Sequence, residues 1–225
     1  MTSTPARTTR AWKATYRDRE KLAQAAAKAD LFSPEAAGTD GRYGDLDDDR
    51  RYPFCLREDR SEENLHESIR EDALAYFGLR NIPWHDGLTD DPSGKGRAKP
   101  SNHLCCSQTQ CVNVWFPFRR DPEALARLLR HLGLPVARML PVTDDCGESD
   151  GFVGFAWIGA RNYLGEHRHG RVAPDDKRAR GRGFTSAAFV VRFLREDGGV
   201  EVRLATGSTP RSTAGRAAWS GPGPT

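Results

Sequence analysis

The cysteines and histidines are the residues of this chain with the widest chemical range. Their densest group is His103, Cys105, Cys106 and Cys111, which a zinc site could use. A structural zinc site needs four converging ligands, and on a helix two successive residues such as Cys105 and Cys106 point about 100° apart. We therefore favour buried thiols without a metal over a zinc site.

The other polar motifs form no intact catalytic signature. Nothing in the spacing brings His85, His131 or His167 to a particular cysteine, as a cysteine nucleophile with a histidine base would require. The tract EHRHGR at 166–171 is interpreted as a polar turn, with a ligand cluster as the alternative. SGKGR at 93–97 lacks the spacing of a phosphate-binding loop, so we expect a basic loop that could contact a nucleic-acid backbone.

Helical patterns occupy the first part of the chain. Residues 11–31 combine good helix formers without Gly or Pro, which predicts a helix with a thin apolar face. Residues 33–60 are interpreted as a polar connector, with an acidic functional tract as the alternative. From 61 the pattern predicts a helix capped by Ser61 and ended by Gly78. Its apolar face comprises Leu65, Ile69, Ala73, Tyr76 and Phe77.

Two more helices are expected before the strands begin. Residues 104–116 predict a helix that buries its cysteines and ends at Pro117. The next has Asp121 as its cap, Pro122 at its first position and Gly133 after its end. Its apolar stripe comprises Leu125, Leu128, Leu129 and Leu132.

After Pro141 the pattern changes to strands. Residues 151–160 and 184–194 are extended candidates, and 195–199 is a hairpin turn. In 200–204, Val200, Val202 and Leu204 alternate as in a half-buried strand. Helices followed by antiparallel strands indicate an α/β protein of the α+β type, with a sheet flanked by helices.

Composition narrows the possible classes of protein further. A chain of 225 residues fits one domain with ragged ends, and a formal charge of +3 permits a nucleic-acid partner without requiring one. No apolar run approaches the ~18 residues of a membrane span, so we expect a cytoplasmic protein without a membrane partner. Five cysteines without a CxxC pair argue against a disulfide framework.

Six phrases between Asp72 and Leu204 carry a family resemblance. In order, they are ALAYFGLRNIPWH, PSNHLCCSQTQCVNVWFPF, MLPV, FAWIGARNYLGE, RGRGFTSAAFVVRF and DGGVEVRL. They resemble bacterial restriction-endonuclease-like proteins of the PD-(D/E)XK nuclease superfamily. The resemblance implies a mixed central sheet with helices on both sides, one or two Mg²⁺ ions and hydrolysis of DNA phosphodiesters.

The family chemistry explains which residues matter. Mg²⁺ prefers carboxylate oxygens, and acids on neighbouring strands hold it against the phosphate, where it activates water. A lysine two residues after the second acid orients or deprotonates that water.

The chain departs from this pattern at three places. Ala156 and Ala188 stand where the family phrases carry a Glu and an Asp, and after Leu204 the expected acid, Trp and Lys are replaced by ATGSTP. An alanine cannot ligate Mg²⁺, so we predict that this chain binds no metal and has lost metal-dependent cleavage.

A shift of reading frame would explain the third departure. Residues 205–210 can be encoded as GCG ACT GGA AGT ACA CCG, followed by AG from Arg211. Read two nucleotides later, this string encodes Asp-Trp-Lys-Tyr-Thr-Glu, the phrase that the family carries there. We therefore hypothesise a frameshift near Leu204.

Polar residues inside the matching phrases are candidates for substrate contact. For Gln108, a buried amide whose hydrogen bonds are made within the protein is an equal alternative. For Arg178, Arg180 and Arg182, a solvated loop is the alternative. The candidates are Ser107, Gln108, Asn113, Asn162, Glu166, Arg178, Arg180, Arg182, Thr185 and Ser186.

Three interpretations follow. The chain is a nuclease by descent that is inactive in this form, a non-catalytic relic that binds DNA or protein, or a pseudogene product that does not fold. We divide it into an N-terminal helix and linker (1–60), a partial restriction-endonuclease-like domain (61–204) and a disordered tail (205–225). The oligomeric state is left open.

Overall fold

The computed structural model of the chain describes residues 15–43, 50–80, 82–85, 87, 99–143, 151–157 and 187–205. Five α-helices precede the main sheet in these residues: α1 (Tyr16–Leu31), α2 (Pro34–Ala37), α3 (Glu67–Leu79), α4 (Ser107–Trp115) and α5 (Pro122–His131). The strands are β1 (Gly41–Arg42), β2 (Arg51–Tyr52), β3 (Val136–Leu140), β4 (Val153–Trp157), β5 (Ala187–Arg195) and β6 (Val200–Ala205). Two 3₁₀ segments, Glu58–Asn64 and Phe116–Arg120, precede α3 and α5.

Strand β5 is the centre of the main sheet. It pairs antiparallel with β6 along one edge and with β3 and β4 along the other. All strand pairs among the described residues are antiparallel. The predicted α+β class, with helices first and an antiparallel set of strands afterwards, is confirmed.

Strands β3 and β4 share one edge of β5. Leu140, at the end of β3, pairs with Arg192, and Val153, at the start of β4, pairs with the adjacent Val191. The two strands therefore continue one line, interrupted by residues 141–152. A hydrogen bond from Val142 N to Gly151 O, at 2.9 Å, closes this interruption.

One face of the sheet packs against helices and forms the core. Phe193 and Val191 of β5 are 0% and 1% exposed on this face, and Tyr76 and Phe77 of α3 meet Phe155 of β4. The cluster also contains Ile82, Trp84, Val112, Phe116, Leu125, Leu129, Val136, Met139 and Val153. Apolar residues from three helices thus fix the position of the sheet.

The helix predicted to begin at Ser61 starts later than its sequence suggests. Ser61 lies in the first 3₁₀ segment, and the N-cap of α3 is His66. The reason is tertiary: Asn113 of α4 accepts a hydrogen bond from His66 N and donates one to Asn64 O, which holds this junction outside the helix. The predicted buried face of α3 is confirmed.

Helices α4 and α5 agree with their sequences in most respects. Asp121 Oδ1 caps α5 by accepting from Ala124 N at 2.8 Å. Leu132, predicted in the stripe of α5, is 60% exposed because the helix ends at His131. Cys105 and Cys106 precede α4, so its predicted start at 104 is wrong.

Strand β6 turns its apolar side away from the core. Val200, Val202 and Leu204 are 55%, 45% and 53% exposed, so the expected half-buried face is wrong. The register gives the reason: Glu201 and Arg203 lie opposite Phe193 and Val191, which face the helices. The strand also continues one residue beyond Leu204, because Ala205 pairs with Phe189.

None of the described helices has the length and hydrophobicity needed to cross a bilayer.

Candidate active site

The sheet brings the two alanine positions to the same level. Phe155 pairs with Phe189 and Trp157 pairs with Ala187, so Ala156 and Ala188 lie between these two pairs on adjoining strands. Directly opposite residues of an antiparallel pair are about 4.5–5.5 Å apart. The two positions are therefore neighbours across the strand pair.

The end of β6 reaches the same level of the sheet. Ala205, the last residue of β6, pairs with Phe189, which is next to Ala188 in β5. Ala156, Ala188 and Ala205 therefore lie within one residue level of one another on three neighbouring strands, although Ala205 shares the face of Phe189 and Ala188 points to the other side of the sheet. We call this set the alanine row.

Ala156 has a backbone conformation that is uncommon for a residue with a side chain. Its φ is +47°, in the left-handed region, and among the described residues it is the only non-glycine residue with a positive φ. An alanine there costs roughly 1–2 kcal/mol, and such conformations cluster at functional sites. The row thus contains local strain.

Replacing Ala156 with glycine is expected to stabilise the chain by about 0.5–1 kcal/mol. Glycine removes the strain at positive φ, which outweighs its larger loss of backbone entropy. Ala188→Gly is the matched control and should destabilise by about 0.5–1 kcal/mol, because β5 has ordinary strand geometry there. Urea unfolding measures both values, and a loss of stability in Ala156→Gly would contradict the assigned strain.

Aromatic contacts hold the residues beside the row. The Tyr76 hydroxyl of α3 accepts a hydrogen bond from Phe155 N at 3.2 Å. Trp115, at the end of α4, stacks on Phe189 with ring centroids 4.2 Å apart. The strand positions next to Ala156 and Ala188 are therefore fixed by two helices.

A buried arginine fixes the start of β4. Arg119 is 5% exposed, and its Nε donates to Val153 O at 3.1 Å. Its guanidinium lies 4.3 Å from the centre of the Tyr76 ring, and that of Arg80 lies 4.1 Å from the same ring. Two guanidinium groups therefore lie against one aromatic ring in the core.

Sequence reasoning did not identify Arg119 or Tyr76 as supports of the site. The signal for Tyr76 was its position on the apolar face of α3, which predicts burial but not its hydroxyl partner. Arg119 carries no such signal, because arginine is rarely fully buried.

Two of the residues predicted to contact the substrate form hydrogen bonds with backbone groups of the chain. Gln108 accepts from His85 N at 2.5 Å and donates to Pro83 O at 3.3 Å. Asn113 joins α4 to the start of α3, as described above. Both amides thus have structural partners, and their contact with a substrate stays a prediction.

The other predicted contacts divide into two groups. Ser107 is exposed at the start of α4 and lines a cavity of about 90 Å³ with Arg17, Tyr43 and His85. Seven candidates lie outside the described residues: Asn162, Glu166, Arg178, Arg180, Arg182, Thr185 and Ser186.

Three residues of the first motif, His103, Cys105 and Cys106, line the same cavity as Ser107, and Cys111 is not among its lining residues. His103 Nδ1 accepts from Cys105 N at 2.9 Å, so that ring atom is bound to the local backbone. Burial raises the pKa of Cys111 to about 11 and that of Cys55 to about 12, which keeps both thiols protonated at neutral pH. Within the described ranges, no three His, Cys, Asp or Glu side chains are grouped to hold a metal ion.

Comparison with protein-family models gives a match over most of the chain. A family model described as REase-ARP, "Restriction Endonuclease associating with ARP", matches residues 19–187, about three quarters of the chain. This range contains Ala156 and ends one residue before Ala188. No curated protein and no solved structure matches the chain.

Proposed function

The chain belongs to the family of restriction endonucleases associating with ARP, and from this premise we propose that it is a DNA nuclease by descent that does not cleave DNA in its present form. More specifically, we propose descent from the Mg²⁺-dependent PD-(D/E)XK nucleases, acting on DNA in the cytoplasm.

The alanine row is the observation that carries this proposal. A nuclease of this type needs carboxylates on neighbouring strands, close enough to hold one cation against a phosphate. Ala156 and Ala188 lie at one level of adjoining strands, and Ala205 ends the next strand one level away. Two positions where the resemblance implies acids are thus neighbours across adjoining strands, which supports the proposal.

The residues of the row do not fit a magnesium ion. Mg²⁺ is bound through oxygen ligands, and alanine side chains supply none. We therefore assign no metal and no hydrolytic step to this chain. What it retains is the scaffold: the paired strands, the supporting contacts of Tyr76 and Trp115, and the backbone conformation of Ala156.

We also propose that the missing acid and lysine after Leu204 reflect a shift of reading frame. The alternative frame supplies an acid and a lysine two residues apart where β6 ends, beside the level of Ala188. The nucleotide sequence across the codons for 204–211 tests this proposal directly. A frame there that encodes no acid-x-Lys phrase would refute it.

Cleavage of plasmid DNA in Mg²⁺ tests the proposed loss of activity. We expect no cleavage by the chain as it stands, because the row has no carboxylate. A version with Glu at Ala156, Asp at Ala188 and the alternative-frame C-terminal segment should gain cleavage that EDTA abolishes.

The matched control carries Gln and Asn in place of the restored Glu and Asp. It has nearly the same side-chain volumes but no charge, so it should remain inactive. Cleavage by the unaltered chain that depends on Mg²⁺ and survives repurification would overturn the proposed inactivity. Cleavage by the amide control would show that the row is not the metal site.

A non-catalytic DNA-binding relic is the second candidate. The continuous core favours a folded chain over a non-folding product. Filter binding across a salt series tests this, since phosphate contacts make affinity fall steeply with salt. Binding that is absent at low salt would exclude the relic.

A further inference from the structure

Strand β6 has both an open edge and an exposed apolar side. One of its edges pairs with β5, and no strand among the described residues pairs with the other. On one side of β6, Val200, Val202 and Leu204 are about half exposed. An exposed edge beside apolar side chains favours addition of another strand.

The opposite side of β6 carries a pair of opposite charges. Glu201 and Arg203 form an ion pair along the strand, and Arg195 of β5 lies 3.7 Å from Glu201. The Nε of Arg203 is buried and has no hydrogen-bond partner in the described part of the chain.

These two patterns make β6 complementary to itself. If two copies of β6 pair antiparallel about a two-fold axis through Val202, Val200 of each copy faces Leu204 of the other, and Val202 faces its own equivalent. On the other side, Glu201 of each copy faces Arg203 of the other. Apolar residues then meet apolar residues, and each charge meets its opposite.

The charges select this register over its neighbours. A two-fold axis through Glu201 would place the two glutamates opposite each other, and an axis through Arg203 would do the same for the two arginines. Like charges directly opposite in a sheet are destabilising. Shifting the register by a single residue is excluded, because charged side chains of one copy would then lie on the same side of the sheet as apolar side chains of the other.

We propose that the chain forms a symmetric homodimer through antiparallel pairing of β6 with β6 of a second copy, in the register centred on Val202. The two main sheets then become one continuous sheet, and the exposed apolar residues of β6 from both copies cover one another. This proposal does not depend on the nuclease descent of the chain.

The size of this interface sets the expected affinity. One pair of six-residue strands with six apolar side chains is at the low end of specific interfaces, which bury roughly 1,200 Å² or less when they are weak. We therefore expect dimers to form at micromolar protein concentration, on the order of 1–100 µM. Sedimentation velocity of the full chain over this range measures the equilibrium.

Charge reversal provides the sharpest test. Arg203→Glu places glutamates opposite glutamates, and Glu201→Arg places arginines opposite arginines, so each variant alone should be monomeric at concentrations where the unaltered chain is a dimer. Mixed one to one, they should form a heterodimer, because each glutamate then faces an arginine. A mixture that gains at least tenfold in association over either variant alone is the expected result.

The control is Arg127→Glu on the exposed side of α5, which should leave the dimer unchanged. A chain that stays monomeric at 100 µM would overturn the proposal. So would a dimer that neither charge reversal weakens, since that dimer would use another surface.

A cross-link tests the register even if a charge variant folds poorly. In the proposed pairing Val202 faces its own equivalent, so Val202→Cys should give a disulfide-linked dimer under mild oxidation, beyond any seen for the unaltered chain. Val200→Cys faces Leu204 instead and should give no more cross-linked dimer than the unaltered chain. Equal cross-linking of both variants would refute this register.

Discussion

Replacing Phe77 with alanine is expected to lower the free energy of unfolding by about 3–5 kcal/mol. Phe77 is 1% exposed, and its ring stacks on Trp84 with centroids 3.9 Å apart and planes 9° apart. It also contacts Phe155 of β4, at 6.4 Å between ring centres. The substitution removes these contacts and leaves a cavity between α3 and the sheet.

Leu79→Ala is the matched control for this prediction. Leu79 lies on the same helix but is 75% exposed, so its truncation should change stability by no more than about 0.5 kcal/mol. Urea unfolding at one pH and temperature compares the two variants. A change below about 1 kcal/mol in Phe77→Ala would show that the α3 contact with the sheet is not the core of this domain.

The same contacts join the core to the alanine row. Tyr76 precedes Phe77 in α3 and holds Phe155 through its hydroxyl, and Phe155 precedes Ala156 in β4. A core that loses α3 would therefore also lose the alignment of β4 with β5. A restored row would therefore be aligned only in a chain whose α3 packs against the sheet.

Elements with strong local signals could be predicted from the sequence. Helix α5 is the clearest case: its cap Asp121, its first residue Pro122 and its buried Leu125 and Leu129 agree with the prediction. Caps and helical periodicity act over a few residues, so they are visible in one sequence. The same signals predicted helices in the earlier part of the chain and antiparallel strands in the later part.

The features that the sequence predicted wrongly depend on contacts with residues far along the chain. The side of β6 that faces the core is decided by its pairing with β5, and the alternation of valines alone pointed to the other side. The start of α3 is decided by Asn113, which is far along the chain. Strand β3 was missed because Val136–Leu140 is short and mixes arginine with apolar residues.

The candidate site could not be predicted from local patterns in the sequence. Nothing in the chemistry of Ala156 or Ala188 marks a site, because alanine carries no functional group. Their assignment came from the family resemblance, and the register of the sheet then brought them to one level. A site whose functional side chains are absent can be recognised only by comparison with a family that carries them, because a sequence pattern shows only the residues that are present.

A buried lysine is the feature of the N-terminal region that the sequence least suggested. Lys28 of α1 is 4% exposed, and its Nζ donates to Cys55 O at 2.7 Å and to Thr39 O at 2.9 Å. Asp40 lies 3.7 Å from the same nitrogen. Lys28 is also the buried residue of α1, so this helix is attached to the domain through an ammonium group rather than an apolar stripe.

Replacing Lys28 with methionine is therefore expected to destabilise the attachment of α1 by about 2–4 kcal/mol. Methionine has a similar length and suits a buried position, but it donates no hydrogen bond, so two carbonyl oxygens lose a charged donor. The effect should be local first, because α1 has few other buried contacts. Limited proteolysis should cut within α1 at least tenfold faster than in the unaltered chain.

Lys21→Met is the control on the same helix. The Lys21 ammonium lies 4.5 Å from the centre of the Phe54 ring, a partly exposed contact worth about 0.5–1 kcal/mol. Its loss should therefore accelerate cleavage only a few-fold. If the two variants were cut at the same rate, the carbonyl contacts of Lys28 would not be what holds α1, and the helix would have to be attached through its partly buried side chains instead.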